Sequence, residues 1–269
     1  MTNEVQYVLK VWFENYINRY RNGDGVLCSP LELKLFHSQR VAENARTIAR
    51  TLGLPKEEQS LAEGAGLVHD VGRFPQFVEF ESFRDADTVD HGAYGRKVLE
   101  AENISRHLSD VDGAALLCAV EFHNHRTSDI PPGLSPKERR LLNVLRDADK
   151  LDVMDLVLRS VAADGFRELP TMLPQISLNR CISPSVLKEA METKTVSSGN
   201  LATLGDYLVM LAVWFYDLNF APTRRLAFQR DLLNRIQREL PDQQVLKPLF
   251  DDIESLSPAA YEIYQRIKT

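Results

Sequence analysis

SPLELKLFHSQRVAENARTIARTLG, residues 29–53, is the stretch from which the fold is read. Ser29 and Pro30 supply a cap and a first-turn proline, apolar side chains recur at steps of three and four, and Gly53 stops the run. That period buries one stripe of a helix. A strand would need alternation by two, and almost none of any length occurs in the chain. One member of the stripe is out of character: His37 stands among Leu33, Phe36 and Val41, so its imidazole faces inward at their level. Taken alone, it reads as a satisfied core histidine.

Working outward, Pro55 opens a second helix that ends near His69-Asp70 in LAEGAGLVHDVGRF. A third is expected from about Asp90 to Glu102 and a fourth from Val111 to about His123. The proline-rich break RTSDIPPGLSP, residues 126–136, precedes KERRLLNVLRDADKLDVMDLVLRSVA, whose period holds for more than twenty residues. Residues 165–185 mix proline and polar side chains without a period and are expected to be a boundary or a lid. Residues 201–220 are apolar on nearly every face apart from Asp206, Asp217 and Asn219, which suits a buried packing or dimer helix. No internal repeat stands out. The expectation is an all-α protein with a first domain over residues 1–165 and a helical extension over 166–269.

Composition bounds the function. Apolar residues make up 44% and charged residues 26%, the balance of an ordinary soluble globular protein. No apolar run approaches the ~18 residues of a membrane span, and charges interrupt the opening MTNEVQYVLKVWFENYINRY. A cytoplasmic protein without membrane contact is the expectation. A net charge of -6 gives no global field toward a nucleic-acid backbone, so nucleic acid is not the expected partner. Cys28, Cys118 and Cys181 lie far apart with no paired spacing, and are expected to be reduced and structural.

Five stretches carry polar groups into apolar helical settings: LFHSQRV, GLVHDVGRF, VDHGAYGRKVL, VEFHNHR and LRDADKLD. A carboxylate drawn inward by such a stripe is costly unless a cation or an arginine meets it. The order His, then His-Asp, then Asp, over roughly residues 30–160, resembles the HD superfamily of metal-dependent phosphohydrolases. The resemblance implies an HD-domain helical bundle with additional C-terminal helices. It implies His37, His69, Asp70 and Asp149 as ligands of a divalent metal ion. Two imidazoles and two carboxylates suit Mn, Fe, Co, Ni, Zn or Mg. Within RDADKLD the ligand is assigned to Asp149 by its place before the basic residue and leucine, leaving Asp147 and Asp152 solvated or second to the metal shell.

His91 and His123 resemble the extra histidines of the HD-GYP branch and of binuclear HD proteins, which implies a second metal. The GYP signature is absent, and Asn124 stands where that branch has a second histidine. The alternative is that His91 simply begins a helix after Asp90, and that His123 and His125 form a polar helix end beside Arg126. Arg73, Lys150 and Arg126 are candidates for phosphate contact or for surface ion pairs, Arg40 is a weaker one, and His107 reads as a surface residue. Asp70 or His123 is the candidate proton carrier. The function implied is hydrolysis of a phosphate ester or anhydride, of a nucleotide or another small phosphorylated molecule, by a metal-activated water. A di-iron oxygenase and a non-catalytic metal-stabilised sensing module are the alternatives. The aromatic WFYD, residues 214–217, is a candidate homodimer anchor, with core packing as the other reading.

Overall fold

The computed structural model describes residues 4–241 and 243–257. Among them there is no strand, only an isolated parallel bridge between Ser177 and Thr203. The chain divides into two compact units, Met1–Asp152 and Val153–Thr269.

The first unit holds α1 (Glu4–Asn18), α2 (Ser29–Thr51), α3 (Lys56–Val68), α4 (Arg73–Phe80), α5 (His91–Ala101), α6 (Asp110–Phe122) and most of α7 (Pro136–Asp164). Helix α3 is its centre, packed against α1, α2 and α6. The GAG run explains why three helices can crowd one. A Cβ on Gly64 would run into Leu9 of α1, and a Cβ on Gly66 would stand 2.7 Å from the Ala42 Cα of α2. The two glycines lie about 200° apart on the helix, so each admits a different neighbour. Around them Leu9, Val41, Ala45, Ile48, Leu61, Ala65 and Val68 are buried.

Helix ends follow the sequence signals. Asp90 accepts from the Ala93 amide to cap α5, and Ser109 accepts from Asp112 to cap α6. The chain crosses between α3 and α5 at another close approach: a Cβ on Gly72 would lie 2.6 Å from the Gly95 nitrogen. Glycine is needed there for contact between backbones. This crossing sets the His-Asp pair beside the start of α5.

The second unit is built on α10 (Leu204–Val213), which packs against α9 (Pro184–Thr193), α12 (Leu232–Glu239) and α13 (Gln243–Glu254), with the short α8 (Leu169–Met172) and α11 (Ala221–Gln229) completing it. Nine residues of α10 are buried, among them Asp206, whose carboxylate accepts from the Ser183 amide and hydroxyl and from the Ala202 amide. Three donors replace the water lost on burial. Phe215 of the WFYD stretch is fully buried and packs edge-to-face on Phe228. No helix among the described residues is long and apolar enough to cross a membrane. The three cysteines are free; Cys118 is buried, whereas Cys28 and Cys181 are exposed, so a packing role holds for Cys118 alone. Neither exposed thiol sits on an apolar stripe that would have carried it inward.

Candidate metal centre

Three elements of the first unit deliver the first group of donors. His37 comes from the middle of α2 and is 1% exposed. His69 is the C-cap of α3 and Asp70 the next residue, where the chain leaves the helix and both side chains turn to one point. Asp149 arrives from α7, whose residues Leu141, Leu142, Leu145, Ala148 and Leu151 are buried. His37 Nε2 lies 3.3 Å from His69 Nε2 and 3.1 Å from Asp149 Oδ1. Asp70 Oδ2 stands 3.7 Å from His37 Nε2 and 3.5 Å from His69 Nε2.

A second group meets the other oxygen of the same carboxylate. His91 begins α5 and His123 is the C-cap of α6; their Nε2 atoms lie 3.1 Å apart. Asp70 Oδ1 is 3.5 Å from His91 Nε2 and 3.7 Å from His123 Nε2. Both histidine pairs are separated by 32 residues, and the second member of each closes a helix by giving its Nδ1 proton to the carbonyl three residues back. The structure thus reveals a likeness between the two halves of the site that the sequence pattern did not announce. It gathers all six residues expected as ligands: His37, His69, Asp70, Asp149, His91 and His123.

Proton bookkeeping shows that the two groups fit a cation. Each imidazole turns its Nδ1 to an acceptor: His37 to Asp152 at 2.8 Å, His69 to the Gly66 carbonyl at 2.7 Å, His91 to Asp85 at 2.5 Å and His123 to the Val120 carbonyl at 2.7 Å. A neutral ring protonated at Nδ1 carries a lone pair at Nε2. With all four rings in that form, four lone pairs and three carboxylate oxygens face one another, a set that a cation among them would satisfy. Bonds of about 2.0–2.2 Å to a shared ion place neighbouring donors roughly 3–3.5 Å apart, close to the spacings seen.

Burial lowers His69 to about 3 and, with Arg73, His91 to about 4, so both rings are neutral at pH 7. Asp70 and Asp149 are held below the usual carboxylate range: burial opposes this, but Lys34 and the imidazoles outweigh it at Asp70, and His37 and His69 do so at Asp149. At His37 burial disfavours the charged ring, yet Asp149 and Asp152 outweigh it and raise the pKa above 6.5. Without metal, a proton on His37 Nε2 faces Asp149. A metal ion must displace that proton, so apparent affinity is expected to rise with pH while His37 is protonated in the free protein, by up to about tenfold per unit. Titration with Mn²⁺ at pH 6 and pH 8 checks this; equal affinities would refute it.

The surrounding acids and cations fix the donors. Asp152, 2% exposed, also receives Arg40 through Nε at 2.7 Å and Nη2 at 3.0 Å. Asp147 is fully buried as well: of the two places expected for these acids, in solvent or behind the metal shell, Asp152 takes the second by orienting His37, and neither is solvated because the apolar faces of α7 carry both inward. Arg146 holds the His125 carbonyl and, at 3.4 Å, that of His123. Lys150 is buried rather than at the surface. Arg73 gives Nη1 to Gln76, to the Phe83 carbonyl and to Asp85, and its buried Nε lies 3.8 Å from Asp70 Oδ1. His125 pairs with Asp90, and Arg126 and His107 are exposed.

Sequence reasoning missed Lys34 and Asp85. Lys34 Nζ lies 2.8 Å from Asp70 Oδ2, and its signal was present: it sits three residues before His37 on the same helical face. Asp85 belongs to a three-residue 3-10 turn, Asp85–Asp87, in a loop with no period to mark it.

A helical unit that converges imidazole lone pairs and carboxylate oxygens from α2, α3, α5, α6 and α7 defines an all-α protein whose residues can hold divalent metal. The HD domain family model matches residues 35–155, which hold all six donors, so this segment is an HD domain. No curated protein and no solved structure matches it.

Proposed function

We propose that this chain is a metal-dependent phosphohydrolase that cleaves a phosphate ester or anhydride of a nucleotide or another small phosphorylated molecule. The observation that carries this reading is the convergence of four Nε2 lone pairs on the two oxygens of Asp70. His37, His69 and Asp70, with Asp149 beside both imidazoles, would hold one divalent ion, and Asp70, His91 and His123 a second. When bound, such ions polarise a phosphoryl oxygen and lower the pKa of a coordinated water.

The chain's own residues arrange the rest. Asp152, Asp85 and two helix carbonyls keep the rings in the tautomer that offers Nε2. Asp149, with 22% of its side chain exposed, is the donor open to solvent, whereas the other five are almost wholly covered, so substrate approaches from its side. Lys34 and Arg73 flank Asp70, and their charges favour an anion beside it. Asp70 and His123 have their cluster-facing atoms committed as donors, which favours ligation over proton carriage for both. A cytoplasmic setting and a homodimer belong to the same proposal.

Purified protein, stripped with a chelator and reloaded with Mn²⁺, Fe²⁺, Co²⁺, Ni²⁺, Zn²⁺ or Mg²⁺, is expected to release phosphate from members of a nucleotide and phosphate-ester panel only when reloaded. Absence of metal-dependent release across the panel would refute the reading. Six donors around two positions also suit a di-iron oxygenase, so oxygen uptake by the Fe²⁺-loaded protein without phosphate release would put that activity in its place.

A further inference from the structure

Asp85 lies outside the ligand set, yet more groups converge on it than on any other acid of its loop. Its Oδ2 meets His91 Nδ1 at 2.5 Å, and Asn124 Nδ2 approaches the same oxygen at 3.3 Å. Its Oδ1 receives Arg73 Nη1 at 2.7 Å and Gln76 Nε2 at 3.0 Å. Gln76 is itself fully buried and also gives its amide to Thr88 and to the Val89 carbonyl, which pins the loop to α4. The carboxylate is thus held from α4 on one side and from the end of α6 on the other, with the His91 ring as its remaining contact.

The neighbouring acid Asp87 provides the contrast. It pairs with Arg84 at the surface and leaves 58% of its side chain exposed. One turn of 3-10 helix therefore carries one acid outward and one to the back of His91. The first group has its own counterpart in Asp152 behind His37, and the two orienting carboxylates share no residue.

We propose that Asp85 is the positioning residue of the second metal site: it fixes the Nε2 lone pair of His91 toward Asp70 and offsets the Arg73 charge there, so that its loss falls on this site rather than on the first. The inference rests on the metal-centre reading and deepens it. A carboxylate behind a ligating imidazole orients the ring and raises its basicity, and its loss lowers metal affinity about 10- to 100-fold. Removing Asp85 also takes from the Arg73 guanidinium the carboxylate that it meets at 2.7 Å, which leaves more of its positive charge uncompensated near the donors and adds to the loss.

The test is calorimetric titration of metal-free protein with Mn²⁺, with bound metal counted by elemental analysis after gel filtration, on wild type, Asp85→Ala, Asp85→Asn and Asp87→Asn. Wild type and Asp87→Asn are expected to take up two ions per chain. Asp85→Ala is expected to keep one ion at wild-type affinity and to bind the other 10- to 100-fold more weakly, with Asp85→Asn, which retains an acceptor oxygen, between the two. Two ions at unchanged affinity in Asp85→Ala would overturn the inference. Equal weakening of both ions, or a melting temperature of the metal-free variant well below that of Asp87→Asn, would show a structural role and overturn it too. Wild-type protein that takes up no metal would instead refute the metal centre itself, and this inference with it.

Discussion

Asp70→Asn is expected to empty both metal sites and to lower phosphate release by roughly 1,000-fold or more. The carboxylate divides its oxygens, Oδ2 toward His37 and His69 and Oδ1 toward His91 and His123, so one substitution removes an anionic donor from each group. An amide keeps the shape but not the charge, and its NH₂ brings protons into a cluster of lone pairs. Loss of charge stabilisation of about 4 kcal/mol in the transition state corresponds to that rate factor. Helix content of the metal-free variant, followed by circular dichroism, is expected to match wild type, because α3 and its glycine contacts do not depend on the ion. Retention of two bound metals and full turnover would exclude Asp70 as the shared donor.

Gly66→Ala is expected to destabilise the first unit strongly. Its Cβ would stand 2.7 Å from the Ala42 Cα and 2.8 Å from the Ala42 nitrogen, and a helix backbone has no rotamer with which to yield. Overpacking against backbone falls at the upper end of the usual range, about 3 kcal/mol, which for a unit of this size lowers the melting temperature by roughly 6–12 °C. The damage reaches the site, because His37 rides on α2, His69 on the end of α3, and the Gly66 carbonyl itself accepts the His69 Nδ1 proton. Pushing the helices apart widens the 3.3 Å approach of the two Nε2 atoms, so metal affinity and stability are expected to fall together. Gly133→Ala, where an added methyl meets nothing within 4 Å, is the control and is expected to melt with wild type. Thermal melts with and without Mn²⁺ decide the matter: a Gly66→Ala melt equal to that of the control would show that α2 and α3 tolerate a wider spacing.

The tetrapeptide Arg-Asp-Ala-Asp occurs twice, at residues 84–87 and 146–149, and marks how far the site was legible. In the helical copy the fourth residue, Asp149, reaches the first group. In the loop copy the second residue, Asp85, backs His91, while its fourth, Asp87, faces solvent. The same letters take different roles because a helix and a 3-10 turn rotate successive side chains by different angles. Periodicity around LRDADKLD placed Asp149 inward. It also held a signal that went unused: Asp149 and Asp152 are three apart, hence on one face, and they meet opposite edges of the same His37 ring. Nothing comparable marks Asp85, since an acidic loop without a period looks the same whether its carboxylates are solvated or buried behind a histidine.

From its sequence alone this chain read as all-helical, because the helical period is local, set by which side chains share a face within a few residues. The six candidate donors came from the resemblance that the order of its histidines and aspartates bears to the HD superfamily. Only the tertiary structure decided that the two oxygens of Asp70 face different histidine pairs, that Asp85 and Asp152 each stand behind a different imidazole, and that Lys34 reaches the shared carboxylate. The physical reason is that these relations depend on how closely helices remote in sequence approach, and contacts such as those at Gly66 and Gly72 fix that approach to within a few tenths of an ångström.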